Sequence, residues 1–148
     1  MLWKDVNFDL ILVSDKKITY NGKPFRFQIP RGYSEYGLSD HKSVNFFIQN
    51  DEFFEWFKRL EEYIFNEIPD NFESNISENS IRIKYVEGFT QVFDSKNTYL
   101  MDGHTFVNCE ADVLIDISST YSPFKDFTKC GLVCKMYQVR VMTTGCLF

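Results

Sequence analysis

The segment of residues 107–118 constrains the fold more than any other part of this chain. Apolar side chains take its odd positions and polar side chains its even positions, with Leu114 as the one exception. Such alternation indicates a β-strand with one face in the core and the other in solvent. At about 3.3 Å per residue it spans roughly 40 Å, about twice an ordinary strand. We therefore expect it to bend and pair with different neighbours along its length, as in a small barrel.

Further strands are indicated on both sides of this segment. Residues 131–142 alternate again, and should pair with residues 107–118 as a long-looped hairpin. One face of this strand is predicted to carry Val133, Lys135, Tyr137, Val139 and Val141. Asn21-Gly22, the preferred pair for a type I′ turn, predicts a tight hairpin between two short strands. Other predicted strands cover residues 6–13, 43–49, 81–86, 88–93 and 98–101, and predicted loops cover residues 31–39 and 70–80.

Residues 51–68 have the spacing of one amphipathic helix. Asn50 or Asp51 can cap it, acidic residues fill its first turn, and Pro69 ends it. Its apolar residues recur at steps of three and four and should pack on the core, namely Phe53, Trp56, Phe57, Leu60, Tyr63, Ile64 and Ile68. With 148 residues and no linker, the chain is predicted to form a single domain over residues 1–148, a mainly β barrel with one α-helix.

The net charge of −5 is unevenly distributed along the chain. Residues 51–78 contain nine acidic and two basic residues, a net charge of −7, which leaves +2 for the remainder. The acidity therefore belongs to the helix and the loop after it, and the β framework can carry a positive surface. We expect negative charge to be segregated onto the helical side.

The cysteine content and hydropathy indicate a soluble protein in a reducing compartment. Four cysteines without a secretory signal suggest buried thiols that act as small core residues. Cys130 and Cys134 would lie about 13 Å apart on a strand, too far to share a metal ion. No apolar run reaches the roughly 20 residues of a membrane span. We expect no membrane association and no cofactor.

Enzyme signatures are absent from the sequence. It has no glycine-rich phosphate loop, no nucleophile elbow and no histidine in an acid–base constellation. Glu110, Asp112 and Asp116 share one strand face and could hold a magnesium ion in a nuclease, although neighbours two residues apart are about 7 Å from each other. A solvated strand face is the simpler interpretation, so we expect no enzymatic activity.

Cationic and aromatic residues are interleaved throughout the chain, which is typical of single-strand nucleic-acid binding. Such proteins neutralise phosphates with Lys and Arg and stack bases on aromatic rings. Aromatic residues make up 18% of the chain, more than a core of this size needs. The candidate binding residues are Arg26, Arg31, Tyr33, Tyr36, Arg82, Lys84, Lys96, Tyr99, Phe124, Lys125, Lys129, Lys135 and Tyr137.

The C-terminal third resembles the closing hairpin of a viral protein family. Residues 103–117 are followed by Tyr121-Ser122-Pro123-Phe124, Cys130-Gly131-Leu132 and Tyr137-Gln138-Val139, a pattern similar to podovirus-type single-stranded DNA-binding proteins and their counterparts in large DNA viruses of eukaryotes. Residues 43–64, a strand feeding an aromatic helix with Leu60-Glu61, are similar to the second group.

The resemblance implies an OB-fold-like barrel that coats exposed single strands during viral DNA replication, recombination or repair. It also implies an intracellular location, in the host cytoplasm at a viral factory or in the nucleus, with replication proteins as possible partners. The alternative is a non-enzymatic viral structural or protein-interaction module that buries its surplus aromatics in a homo-oligomer interface. The sequence leaves open which aromatics face solvent and whether DNA or RNA is preferred.

Overall fold

The long alternating segment pairs with several other strands, as its length predicts. The computed structural model describes residues 1–100, 105–121 and 129–142. In chain order its elements are β1 (Ile11–Ser14), β2 (Lys17–Tyr20), β3 (Lys23–Pro24), β4 (Arg26–Gln28), β5 (Gly32–Tyr36), β6 (Ser43–Phe47), α1 (Asp51–Phe65), β7 (Ile76–Ser77), β8 (Ser80–Lys84), β9 (Gln91–Phe93), β10 (Tyr99–Leu100), β11 (Val107–Tyr121) and β12 (Gly131–Val141). Strand β11 pairs with β5 near its start, with β4 and β2 further along, and with β12 over most of its length.

Five strands close into a barrel in the order β5, β6, β8, β12, β11 and back to β5. Numbered along the chain within the barrel, this order is 1-2-3-5-4-1, and the contact between the third and fifth strands, β8 and β12, is parallel. It is the strand order of an OB-fold-like barrel. The predicted fold class is confirmed. That residues 1–148 form a single domain stays a prediction.

Local turn chemistry explains the N-terminal hairpins. Asn21 and Gly22 have φ values of 51° and 78°, which is the predicted type I′ turn, and it joins β2 to β3. Asp15 and Lys16 also have positive φ and join β1 to β2. The prediction of a strand over residues 6–13 is wrong in its first part, because residues 3–5 and 8–10 form short 3₁₀ turns before β1 begins.

Helix α1 lies against the barrel through its aromatic face. Asn50 caps it as predicted, because its side-chain oxygen accepts the backbone N–H of Phe53 at 3.0 Å. The Trp56 ring packs against Trp3 and Phe27, with centroids 5.4 and 5.2 Å away. The helix ends at Phe65 rather than Ile68, because Asn66 takes a φ of 63°. No helix in the described part of the chain is long and apolar enough to cross a membrane.

Strand β5 lies where the sequence predicts a loop. Its inward positions are Gly32 and Ser34, both buried, so the apolar alternation that marks the other barrel strands is missing here. A Cβ on Gly32 would stand 2.9 Å from the Cβ of Phe46, so glycine is needed for the close approach of β5 and β6. Because crowding by Phe46 selects small inward residues, the segment reads as polar.

Ten of the described aromatic rings are buried in the core. The buried rings are Trp3, Phe25, Phe27, Phe46, Phe53, Phe54, Trp56, Phe57, Tyr85 and Phe106. Cys109, Cys130 and Cys134 are also buried and unpaired within the described part of the chain. The expectation that buried thiols serve as small core residues holds for these three.

Candidate nucleic-acid interface

A row of charged residues crosses the outer wall of the barrel. Lys84 on β8 is the register partner of Lys135 on β12, Lys135 pairs with Asp116 on β11, and Asp116 pairs with Arg26 on β4. All four side chains project outward, because their strand neighbours, such as Ile83 and Ile117, fill the core. We call Lys84, Lys135, Asp116 and Arg26 the lysine row.

The two ends of the lysine row differ in charge balance. Arg26 Nε donates to Asp116 Oδ2 at 2.8 Å, and Asp116 is only 2% exposed. Neither Lys84 nor Lys135 has a carboxylate within ion-pair distance among the described residues. The net positive charge of the row therefore lies at the two lysines, while Arg26 is already neutralised.

Two aromatic rings lie directly beside the lysine row. Phe89 and Tyr137 have centroids 5.5 Å apart and planes inclined by 46°, and we call them the ring pair. The guanidinium carbon of Arg26 is 3.8 Å from the Tyr137 centroid, and Lys135 Nζ is 4.8 Å from the Phe89 centroid. Both contacts lie within the range of cation–π attraction. Cations and rings thus form one cluster on the barrel wall.

A β-bulge at Tyr137 ends the regular alternation of β12 next to this cluster. Leu114 pairs with Gln138 and Ile115 with Met136, so Tyr137 has no partner on β11. Because the extra residue shifts the alternation, Lys135 and Gln138 both project outward while Met136 and Val139 are buried. The sequence reading, with Lys135, Tyr137 and Val139 on one face throughout, is wrong beyond Tyr137.

Lys84 also lines a groove of about 440 Å³ formed by the second and third barrel strands and the start of β12, which we call the β8 groove. The connection from β5 to β6 borders it with Ser39 and His41, and Arg82 lines it next to Lys84. Arg82 donates to Glu73 at 2.9 Å, and Lys129 reaches the other oxygen of Glu73 at 2.7 Å. Hydrogen bonds from Lys129 and Arg82 hold the pKa of Glu73 below its usual value.

Two exposed rings stand at the far end of the same wall. Tyr33 on β5 and Phe47 on β6 are register partners, 38% and 45% exposed. The Tyr33 hydroxyl donates to Asn108 Oδ1 at 2.9 Å. Phe47 and Phe89 are absent from the sequence-based candidates. For Phe47 a signal existed, since the alternation of residues 43–49 puts it on the outer face opposite Phe46.

A second ion cluster lies on the same outward face of β11, four residues before Asp116. Arg31 donates two hydrogen bonds of 3.0 and 3.1 Å to the Asp112 carboxylate, and Arg140 donates a third of 3.0 Å. Burial raises the pKa of Asp112, but the bonds from Arg31 and Arg140 outweigh it and the pKa is lowered. Because Asp112 and Asp116 are held by arginines, they are poorly suited to the magnesium site that the sequence left open.

The expected segregation of negative charge onto the helical side is therefore incomplete. Asp112 and Asp116 lie on the barrel wall and neutralise three of its arginines, Arg31, Arg140 and Arg26. Such pairing was invisible in the sequence because the partners are 81, 28 and 90 residues apart. Of the cations in and beside the lysine row, Lys84 and Lys135 have no ion pair among the described residues, while Arg82 and Lys129 share one carboxylate.

The remaining sequence candidates lie away from the lysine row. Lys96 and Tyr99 belong to the β9–β10 hairpin, where the Tyr99 ring contacts Phe93 at 5.8 Å. Tyr36 ends β5 opposite Val107 and is 82% exposed. Phe124 and Lys125 lie outside the described residues. The structure thus brings Arg26, Lys84, Lys135 and Tyr137 together, and places Arg82, Lys129 and Tyr33 along the adjoining β6–β8 wall.

Comparison with known proteins bears on the fold. No protein-family model matches the chain. No curated protein matches it by sequence. The chain is similar to a solved structure described as a single-stranded DNA-binding protein from bacteriophage Enc34, C-terminal truncation, with a TM-score of 0.56 and 9% identity over 91% of this chain and 96% of that one. At this identity the likeness concerns the fold.

Proposed function

We propose that this chain binds single-stranded DNA and coats exposed strands without catalysing a reaction. The observation that carries the proposal is the joining of two unneutralised lysines, Lys84 and Lys135, to the ring pair on one wall of an OB-fold-like barrel. The similar fold of a phage protein described as binding single-stranded DNA supports it. A role in viral DNA replication, recombination or repair, with replication proteins as partners, is part of the proposal and comes from the sequence resemblance of the C-terminal third.

The position of the β8 groove agrees with this function. OB-folds bind oligonucleotides on the face of their second and third strands, flanked by the loop between the first and second. Here those strands are β6 and β8, and Ser39 and His41 border the groove from the β5–β6 connection. A strand lying there would meet Arg82 and Lys84 before it reached Lys135.

Phosphate binding would rest on the lysines. A lysine without a carboxylate partner can exchange its counterions for a phosphate without breaking an existing ion pair. Arg26 and Arg31 are held at 2.8 and 3.0 Å from carboxylates, so neutralising a phosphate would first cost them those contacts. We therefore assign the phosphate contacts to Lys84 and Lys135.

Base stacking would rest on the exposed aromatics and on Arg26. Arg26 covers one side of Tyr137, and a guanidinium plane held in this way can itself stack on a base. Phe89 extends the same surface, and Tyr33 and Phe47 offer a second one at the far end of the wall. Stacking on rings tolerates any base, so these contacts favour single strands over duplexes.

Binding of a labelled oligo-dT, followed by fluorescence anisotropy across a salt series, tests the proposed function. We expect tight binding at low salt and a linear fall of log K with log salt, because the lysines replace counterions on the phosphates. A duplex of the same length should bind more weakly, since its bases cannot reach the rings. Absence of binding at low salt, together with a stable oligomer in solution, would favour the protein-interaction alternative.

The substitution Phe89→Leu should weaken oligo-dT binding about 10-fold, the typical contribution of stacking one base. The slope of log K against log salt should stay unchanged, because no phosphate contact is removed. Tyr63→Leu, which removes a ring that is 44% exposed on α1, is the matched control and should bind like the wild type. Equal affinities for Phe89→Leu and Tyr63→Leu would show that the ring pair is not part of the interface.

A further inference from the structure

Three of the four glutamines in this chain line up on the barrel wall next to the lysine row. Gln28 on β4 pairs with Leu114 on β11, Leu114 pairs with Gln138 on β12, and Gln138 pairs with Gln91 on β9. We call Gln28, Gln138 and Gln91 the glutamine row. On β11 it is two residues from the lysine row, since Leu114 and Asp116 are two apart, a distance of about 7 Å.

Several hydrogen-bonding groups of the glutamine row have no protein partner among the described residues. Gln138 donates an amide N–H to the side-chain oxygen of Gln91 at 3.1 Å. That bond leaves the Gln138 oxygen and the Gln91 amide nitrogen without a protein partner among the described residues, and the Gln28 side chain has none there either. Donors and acceptors thus stand side by side on a surface where the neighbouring row carries full charges.

A groove of about 360 Å³ lies over two members of this row, Gln28 and Gln138, and we call it the β9 groove. Leu114 lies between these two glutamines, and the groove is also lined by Phe93, Asn97 and the ion-paired Asp112 and Arg140. The register pairing of Phe93 with Arg140 puts a ring and a guanidinium side by side. The volume falls in the range of small-molecule sites, and its apolar floor with a few polar groups is typical of them.

We propose that the β9 groove is a base-reading subsite, in which the glutamine row hydrogen-bonds the edge of a nucleobase from the strand held by the lysine row. This inference rests on the proposed function. Glutamine amides present a donor and an acceptor together, as base edges do, whereas the lysines and the ring pair are indifferent to base identity. The strand would run from the β8 groove past the ring pair into the β9 groove, along the outward residues of β12.

The test compares equal-length oligo-dA, oligo-dC, oligo-dT and an abasic oligonucleotide by anisotropy at high salt, where phosphate contacts are weakened. The wild type should bind the base-bearing strands unequally and more tightly than the abasic strand. The double substitution Gln28→Leu and Gln138→Leu should lose about 10-fold on the preferred strand and nothing on the abasic strand. It should also bind the three homopolymers more equally.

Two further variants complete the experiment. Gln49→Leu changes the one glutamine outside the row and should match the wild type, while Gln91→Leu removes the other half of the amide pair and should behave like the double substitution. If the double variant and Gln91→Leu both match Gln49→Leu, or lose equally on the abasic strand, the base-reading subsite is overturned while single-strand binding stands. If the wild type binds no oligonucleotide, the proposed function itself has failed.

Discussion

Reversing the charge of Lys84 and Lys135 together is expected to weaken oligo-dT binding about 100-fold at low salt. The two residues are register partners on adjacent strands and have no carboxylate within ion-pair distance among the described residues, so their charge is available to phosphates. Each lost phosphate contact should lower the slope of log K against log salt by about 1. Anisotropy titrations at several salt concentrations measure both quantities.

The control for these charge reversals is Lys23→Glu, because Lys16, another lysine of the N-terminal hairpin, has other interactions. Lys23 is exposed on β3, at the tip of the N-terminal hairpin and away from the lysine row. It changes the net charge in the same sense but should leave the affinity within about 3-fold, because the effect of a distant charge is screened by salt. A similar loss for Lys23→Glu and for either single reversal would mean that net charge, not the lysine row, governs binding.

Replacing Glu61 with Gln is expected to stabilise the fold by about 2–3 kcal/mol at pH 8 and by little at pH 4. Glu61 lies on α1, is 3% exposed, and accepts the Ser74 hydroxyl, whose oxygen lies 2.7 and 3.0 Å from its two carboxylate oxygens. Burial raises its pKa from 4.5 to about 7, since the charged form is poorly solvated there. Gln keeps the size and an acceptor without a charge to bury.

The direction of this pH dependence follows from proton binding to Glu61 in the folded and unfolded states. Between pH 4.5 and 7 the folded chain holds a proton at Glu61 that the unfolded chain has released, so this group lowers the free energy of unfolding as pH rises. Urea denaturation of the wild type and Glu61→Gln over this interval should show the loss in the wild type alone. Glu62→Gln, an exposed neighbour on α1, should retain it. Parallel pH curves for the wild type and Glu61→Gln would contradict the assignment.

The barrel strands could be predicted from the sequence wherever apolar and polar residues alternate in step with burial. Strands β6, β8 and β11 bury every second residue, so their periodicity identified them, and the turn chemistry of Asn21-Gly22 identified the first hairpin. Strand β5 was not predicted because its inward residues are small and carry no apolar signal. They are Gly32, which the close approach of Phe46 requires, and Ser34. The strand order of the barrel was an implication of the family resemblance, since no local pattern encodes which strands meet.

The candidate interface was only partly visible in the sequence. Interleaving of charges and rings selected Arg26, Lys84, Lys135 and Tyr137, yet Phe25 and Phe27, the neighbours of Arg26, are fully buried. Which arginines are neutralised depends on carboxylates far away along the chain, so composition could not separate Arg26 from Lys84. The glutamine row went unnoticed for the same reason, because its members meet through register alone.

The unpaired residue Tyr137 determines how substitutions and deletions in β12 can change this surface. If Tyr137 were paired in a regular strand instead of bulged, alternation after Met136 would place Gln138 and Arg140 in the core and expose Val139 and Val141, which are now 0% and 2% exposed. One inserted residue thus divides β12 into two segments of opposite phase, each with its own inward set. Substitutions can alter the charge of the first segment or the amides of the second independently, whereas deletion of Tyr137 would straighten β12, keep both inward sets and remove one ring of the ring pair.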